Sequence, residues 1–199
     1  MISLIILAAG LSIRFPGNKL LSKIGGKPVI RRVVEQAIQS RADEVVVVLG
    51  YDSERVKEAL KGLECTFVYN ESYLEGQSTS VRKGVASVSN HAEAVLILPG
   101  DIALISSKII DTVIEEYRRT DGLILVASYK GHAGHPILIS HTLFGEIEGI
   151  NEETMGLKAL VDRHRSSVKK VETGSRAVLI DIDTPEDFSK ALSELFQEP

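Results

Sequence analysis

The sequence predicts an α/β fold: one mainly parallel sheet, helices on both faces, and some antiparallel pairing in the C-terminal half. Two observations carry this. Short β-branched apolar runs recur along the chain, and between many of them lie longer stretches with apolar residues at helical steps of three and four. A third observation adds the antiparallel part. Two apolar runs lie close together around the Gly-rich turn at residues 131–135, too close for a helical crossover.

The first strand is expected over residues 2–7. Val29, Ile30, Val33, Val34, Ala37 and Ile38 then form a helical stripe, and residues 45–49 form the second strand. A short helix follows on Val56, Ala59 and Leu60, with Asp52 or Ser53 as its cap. Residues 66–69 read as a strand, and the segment at 75–84 opens an apparent helix. Residues 94–98 form the fourth strand. Ile109, Ile110, Val113, Ile114 and Tyr117 make a helix capped by Ser106 or Ser107. Strands are expected at 123–127 and 136–139, a helix on Leu157, Leu160 and Val161, and strands at 168–171 and 177–182. The last helix carries Phe188, Leu192, Leu195 and Phe196. Thr184 is its N-cap and Pro185 its first residue, while Glu186 and Asp187 suit its positive end.

With 199 residues and no internal repeat or linker, residues 1–199 read as one domain. A net charge of -4 supplies no basic field for nucleic acid. The single cysteine, Cys65, excludes an internal disulfide and a cysteine-rich zinc site; in the apolar run at 65–68 it reads as a buried structural thiol. The first residues lack the basic start and long apolar core of a signal peptide, and no apolar run reaches the ~20 residues of a membrane span. A cytoplasmic location is expected.

In open α/β sheets, ligands sit beyond the carboxyl ends of the strands, so the residues that follow each apolar run define the candidate site. After the first run come Ala8, Ala9, Gly10, Ser12, Arg14 and Lys19. Small residues let backbone approach a ligand, and the two cations suit a triphosphate. The stretch is neither a Walker A loop nor a G-x-G-x-x-G fingerprint, and it also reads as an ordinary strand-to-helix turn. After the fourth run comes Pro99-Gly100-Asp101, where Asp101 is either a magnesium ligand or a turn former. Asp181 and Asp183, two apart in the expected last strand, face one side. A metal shared with Asp101 or a solvated strand end accommodates them. Gln77, Ser78 and Ser80 offer neutral hydrogen bonds to a base or ribose, or a plain helix cap. His132 and His135 lie three apart in a Gly-rich turn, without a third zinc ligand at helpful spacing.

Taken in order, L-A-A-G-x-S-x-R-F with N-K-L, then Gly26-Lys27-Pro28, E-G-Q-S-T-S, P-G-D, G-H-P and D-I-D-T-P-E-D resemble the NTP-transferase (MobA-like) family. The likeness spans essentially the whole chain and is closest to the molybdenum-cofactor cytidylyltransferase branch. It implies a Rossmann-like, GT-A-like architecture and a magnesium-dependent transfer of CMP from CTP to the phosphate of molybdopterin, with release of pyrophosphate. By the same resemblance, Leu7, Ala8, Ala9, Gly10 and Gly100 approach the nucleotide. Arg14 and Lys19 hold its phosphates, and Gln77, Ser78 and Ser80 contact it. Asp101 and Asp183 bind Mg2+, and Gly134, His135 and Pro136 border the acceptor pocket. Arg14, Lys19 and Asp101 are the catalytic set. Ala8-Ala9-Gly10, in place of the Ala-Gly-Gly usual in related guanylyltransferases, favours CTP over GTP. Docking to a molybdoenzyme or its chaperone is a further implication. The segment at 150–158 and the turn before G-H-P, with Lys130 its one cation, follow the family pattern only loosely.

Three rival readings stand beside this one. The first is a nucleotidyltransferase for a sugar or polyol phosphate, or one that uses GTP or ATP. The second is a nucleotide-sugar glycosyltransferase, which usually carries Asp-x-Asp mid-chain where this sequence has Asp101-Ile102-Ala103. The third is a non-catalytic nucleotide-binding protein, against which the retention of both carboxylates speaks.

Overall fold

A computed structural model of the chain describes residues 1–195. Its elements run β1 (Ile2–Ala8), β2 (Lys23–Ile24), β3 (Lys27–Pro28), α1 (Val29–Ile38), β4 (Glu44–Leu49), α2 (Ser53–Ala59), β5 (Thr66–Tyr69), α3 (Gln77–Val85) and β6 (Ala94–Pro99). They continue with α4 (Ser107–Thr120), β7 (Ile124–Tyr129), β8 (His132–Ser140), α5 (Phe144–Glu148), α6 (Gly156–Arg163), β9 (Val168–Glu172) and α7 (Pro185–Leu195). The main sheet has seven strands in the order β5-β4-β1-β6-β8-β7-β9. β5, β4, β1 and β6 are mutually parallel; β8 is antiparallel to both β6 and β7, and β9 is parallel to β7. The expected mixed sheet is therefore present, with its antiparallel pairs in the C-terminal half.

The apolar run of β1 from Leu4 to Ala8 follows from burial on both faces. Leu4 and Ile6 point into one core layer, beneath α1, α2, α4 and α7; Ile5 points into the other, beneath α3, α5 and α6. α1 buries Val29, Ile30, Val33, Val34 and Ala37, the stripe that its spacing predicts. α3 lies close on the sheet because Gly84 is a glycine: a Cβ there would stand 2.5 Å from the Ile5 side chain. Ser106 caps α4, its hydroxyl accepting from the Ile109 N–H at 3.4 Å. Thr184 and Asp187 cap α7 reciprocally, each side chain accepting from the other's backbone N–H. Among the described residues, no helix is long and apolar enough to cross a membrane.

Three expectations need correction. Residues 177–182 do not form a strand; Arg176–Leu179 is a 3-10 turn, and the chain then runs irregularly to Asp183. The reason is topological. Both edges of β7 are taken, by β8 and β9, and both edges of β8 by β6 and β7, so this apolar run, which lies over those two strands, finds no edge there to join. It packs across the sheet instead, with Ala177, Val178 and Ile182 buried. Asp52 occupies the start of α2 but does not cap it. It adopts a left-handed φ of 56°, and its carboxylate accepts from Arg55 and Asn18. Cys65 is half-buried at the head of the largely exposed strand β5, and burial pushes its thiol pKa up. Phe196, assigned to the last helix, lies outside the described residues. The β2–β3 hairpin, turned by Gly25 and Gly26 at positive φ, and the short α5 are additions to the expected elements.

Candidate active site

Parallel pairing brings the strand ends together. Leu7 of β1 lies opposite Pro99 of β6 and Val48 of β4, and the Gly100 N–H donates to the Leu7 carbonyl at 2.9 Å. The loops after β1 and β6 therefore leave the sheet side by side. They open on a cleft of about 430 Å³, whose far wall is the turn Tyr73–Glu75 and the start of α3. A larger hollow of about 520 Å³ lies between α1, the 103–106 loop and Glu194, away from the converging strand ends.

Lys19 enters the cleft from a backbone that is tied down. Asn18 caps its 3-10 turn, accepting from the Leu20 N–H at 3.0 Å, and the Ser12 hydroxyl accepts from the Lys19 N–H at 3.3 Å. Buried Leu20 anchors the turn in the core. The Lys19 ammonium then donates to Asp101 Oδ2 at 2.5 Å and to Asp183 Oδ1 at 2.9 Å. Arg14 Nη2 donates to the second oxygen, Asp183 Oδ2, at 2.6 Å. Two cations and two carboxylates from three distant segments thus form one cluster.

The electrostatics follow from this arrangement. Burial pushes the Asp101 carboxyl above the usual carboxylate range, although Lys19 pulls it down. Burial works against the Lys19 charge, but Asp101 and then Asp183 outweigh it and hold its pKa above the ordinary lysine value. Burial likewise raises Asp183, but Lys19 and Arg14 outweigh it and hold the carboxyl below its ordinary value.

Of the residues singled out from the sequence, Leu7, Ala9, Gly10, Arg14, Lys19, Gln77, Ser80, Asp101 and Asp183 line this cleft. Ala8 and Ser78 are buried and do not line it; neither does Gly100, where a Cβ would meet Ile30 at 2.9 Å and the Leu7 carbonyl at 3.0 Å. At Gly10 a Cβ would meet nothing within 4 Å, so packing does not demand a glycine there and the space belongs to the cleft. Gly134, His135 and Pro136 lie in β8 outside the lining. The Gly134 backbone abuts the Val178 carbonyl. His135 is largely buried, and burial pushes its imidazole pKa down against the pull of Asp101 and Asp181.

Other residues of the site escape sequence reasoning. Buried Asn70 donates to Thr79 Oγ1 at 2.8 Å and to Ser80 Oγ at 3.0 Å, fixing the Ser80 hydroxyl. Glu152 reaches across from the 151–155 turn and accepts from the Ser78 N–H at 2.6 Å. One N–H of the α3 start is thereby occupied. Gly76 makes room for that carboxylate, since a Cβ there would lie 2.1 Å from Glu152 Cγ. Tyr73, Leu74 and Ile13 add apolar surface around the cleft.

The donor set fits a magnesium-like cation. Asp101 Oδ1 is buried with no hydrogen-bond partner among the described residues, an acceptor left over after Lys19 has been served. Among those residues no group of three or more His, Cys, Asp or Glu could hold a metal by itself. That is the usual situation of Mg2+, which binds through one or two carboxylates together with substrate phosphates.

Known proteins resemble this chain at both levels. Bifunctional protein GlmU of Francisella tularensis subsp. novicida is 31% identical over 175 residues, which are 87% of this chain but 36% of GlmU. The chain therefore spans little more than a third of that relative. The crystal structure of Rv0371c from Mycobacterium tuberculosis H37Rv superposes with a TM-score of 0.85 at 25% identity, covering 96% of this chain and 97% of that one. The same protein has also been solved as a complex with manganese, which superposes with a TM-score of 0.79. A nucleotidyl transferase from Methanothermobacter thermautotroptrophicus shares the fold, with a TM-score of 0.86 at 22% identity over 99% of this chain and 98% of that one. Residues 4–168, from the first strand into β9, match the MobA-like NTP transferase domain, and the chain belongs to that family.

Proposed function

We propose that this chain transfers CMP from CTP to a phosphate-bearing acceptor, molybdopterin by resemblance, with release of pyrophosphate. One observation carries the reading: Arg14, Lys19, Asp101 and Asp183 converge on one cleft whose floor at Gly10 is open. Two cations beside two carboxylates, one with an unused oxygen, are the parts needed to hold a triphosphate with a divalent cation. The choice of CTP rests on Ala8-Ala9-Gly10 and the choice of acceptor on the family resemblance.

In this reaction an acceptor phosphate oxygen attacks the α-phosphorus in line. The new P–O bond forms as the bond to the bridging oxygen breaks, and that electron pair leaves with pyrophosphate. The acceptor phosphate is already ionised at neutral pH, so no side chain need remove a proton. The chain's contribution is position and charge. Arg14 and Lys19 hold the β- and γ-phosphates and offset the charge that gathers on the leaving group. Asp101 and Asp183 would hold Mg2+, whose chemistry, when bound, is to neutralise charge on the phosphate oxygens. Asn70 and the Ser12–Asn18 turn keep Ser80 and Lys19 from drifting.

The direct test is pyrophosphate release with CTP, GTP or ATP, each paired with molybdopterin or a sugar phosphate. Release is expected with CTP and molybdopterin. Release only with another pair would replace the substrates and leave the class of reaction standing. Lys19→Ala is expected to lower kcat about 100-fold with a smaller change in KM, because leaving-group charge peaks in the transition state. An effect confined to KM would count against that role.

A further inference from the structure

The cluster has a consequence for the order in which ligands bind. The Lys19 ammonium stands between Asp101 and Asp183, at 2.5 and 2.9 Å, and Arg14 takes the remaining Asp183 oxygen at 2.6 Å. Three of the four carboxylate oxygens thus already face a cation, and the fourth, Asp101 Oδ1, is the buried one without a partner. A divalent cation entering this space alone would meet an ammonium in direct contact with its own ligands, and like charges at that separation repel strongly where solvent is largely excluded. The Lys19 side chain is 15% exposed and Asp101 13%, so water screens the pair little.

We infer that Lys19 is a resident cation that closes the carboxylate pair until a triphosphate draws its ammonium away, so that nucleotide and metal bind with positive coupling. This rests on the proposed function above. The geometry makes the exchange a small motion. The backbone of residues 18–20 is held by the Asn18 and Ser12 hydrogen bonds, so only the four-carbon side chain of Lys19 needs to turn. Arg14 is the exposed member of the cluster, with its side chain 68% exposed, and is the first cation that an incoming phosphate meets. Transfer of Arg14 and Lys19 to phosphate oxygens uncovers three carboxylate oxygens for the metal. By reciprocity, the metal then tightens nucleotide binding by the same factor.

The test is binding of Mn2+ alone, followed by electron paramagnetic resonance, to the wild type and to Lys19→Met, Lys27→Met, Asp101→Asn and the double variant Lys19→Met/Asp101→Asn. Lys19→Met is expected to bind Mn2+ about tenfold tighter than the wild type, within the usual range of coupling between sites. Lys27→Met removes an equal charge outside the cleft and is expected to match the wild type. The double variant is expected to lose the gain. Lys19→Gln replaces Lys19→Met if circular dichroism shows the latter unfolded. Equal Mn2+ affinity in the wild type and Lys19→Met, abolished in both by Asp101→Asn, would overturn the inference and leave the metal site standing. Tight binding that survives Asp101→Asn would overturn both.

Discussion

Asp101→Asn is expected to reduce pyrophosphate release about 100- to 1,000-fold while leaving the fold in place. The expectation rests on what the substitution keeps and what it removes. The amide has the size of the carboxylate and still accepts from Lys19, which also retains Asp183 at 2.9 Å. No cavity opens, and the partly buried ammonium is not left without an anion. The thermal midpoint should therefore stay within about 4 °C of the wild type. What disappears is the buried negative charge and one anionic oxygen for a cation. Loss of a preorganised electrostatic partner at the reacting phosphates costs about 2.7–4 kcal/mol in the transition state. Asp183→Asn should follow Asp101→Asn, because Asp183 shares Lys19 and also binds Arg14. Asp181→Asn should stay within about threefold of the wild type, since Asp181 is exposed and forms no ion pair among the described residues. Turnover near the wild-type level in Asp101→Asn would remove the carboxylate pair from the mechanism.

The parts of the molecule legible in the sequence are those set by burial on both faces. β1, β4 and β6 are apolar along most of their length because each is covered above and below, and the rule that ligands gather at their carboxyl ends led directly to Arg14, Lys19 and Asp101. Legibility fails where an assignment depends on what neighbouring space is free. Residues 177–182 have the composition of a strand, yet β7 and β8, over which they pack, are already paired on both edges, and no local pattern records that. It fails also for polar residues with distant partners. Glu152 reaches Ser78 across 74 positions, and the wall of the cleft owes its shape to that contact. Asn18 enters the sequence reading only as part of N-K-L; its role as the cap that aims Lys19 becomes visible only with the backbone in place. Strand alternation, the reason for setting Asp181 beside Asp183, does not apply, since no strand exists there; Lys19 brings Asp183 to Asp101 by bridging both.

That dependence of Asp183 on an irregular segment leads to the second large effect, Gly134→Ala. From the resemblance, Gly134 borders the acceptor pocket. In the fold it has a purely steric duty: a Cβ there would stand 2.0 Å from the Val178 carbonyl oxygen and 2.7 Å from its carbon. These are backbone atoms and cannot rotate aside, unlike the end of a flexible side chain. Either β8 or the Arg176–Leu179 turn must move. β8 is held on either side of Gly134, by β7 at His132 and Ala133 and by β6 and β7 from Ile137 onward, so the turn is the part that yields. Its displacement lifts Val178 out of the core, for a loss of about 1–3 kcal/mol from overpacking and lost burial. It also carries Ile180–Asp183 away from β8, since Asp183 follows Leu179 by only four residues. Arg14 and Lys19 then lose their common carboxylate. Gly134→Ala should therefore lower the thermal midpoint by several degrees, as this loss implies for a chain of this length. It should also reduce turnover with every acceptor alike, to the extent seen in Asp183→Asn. A variant of full stability in which only the KM for one acceptor rises would show instead that Gly134 lines the acceptor pocket.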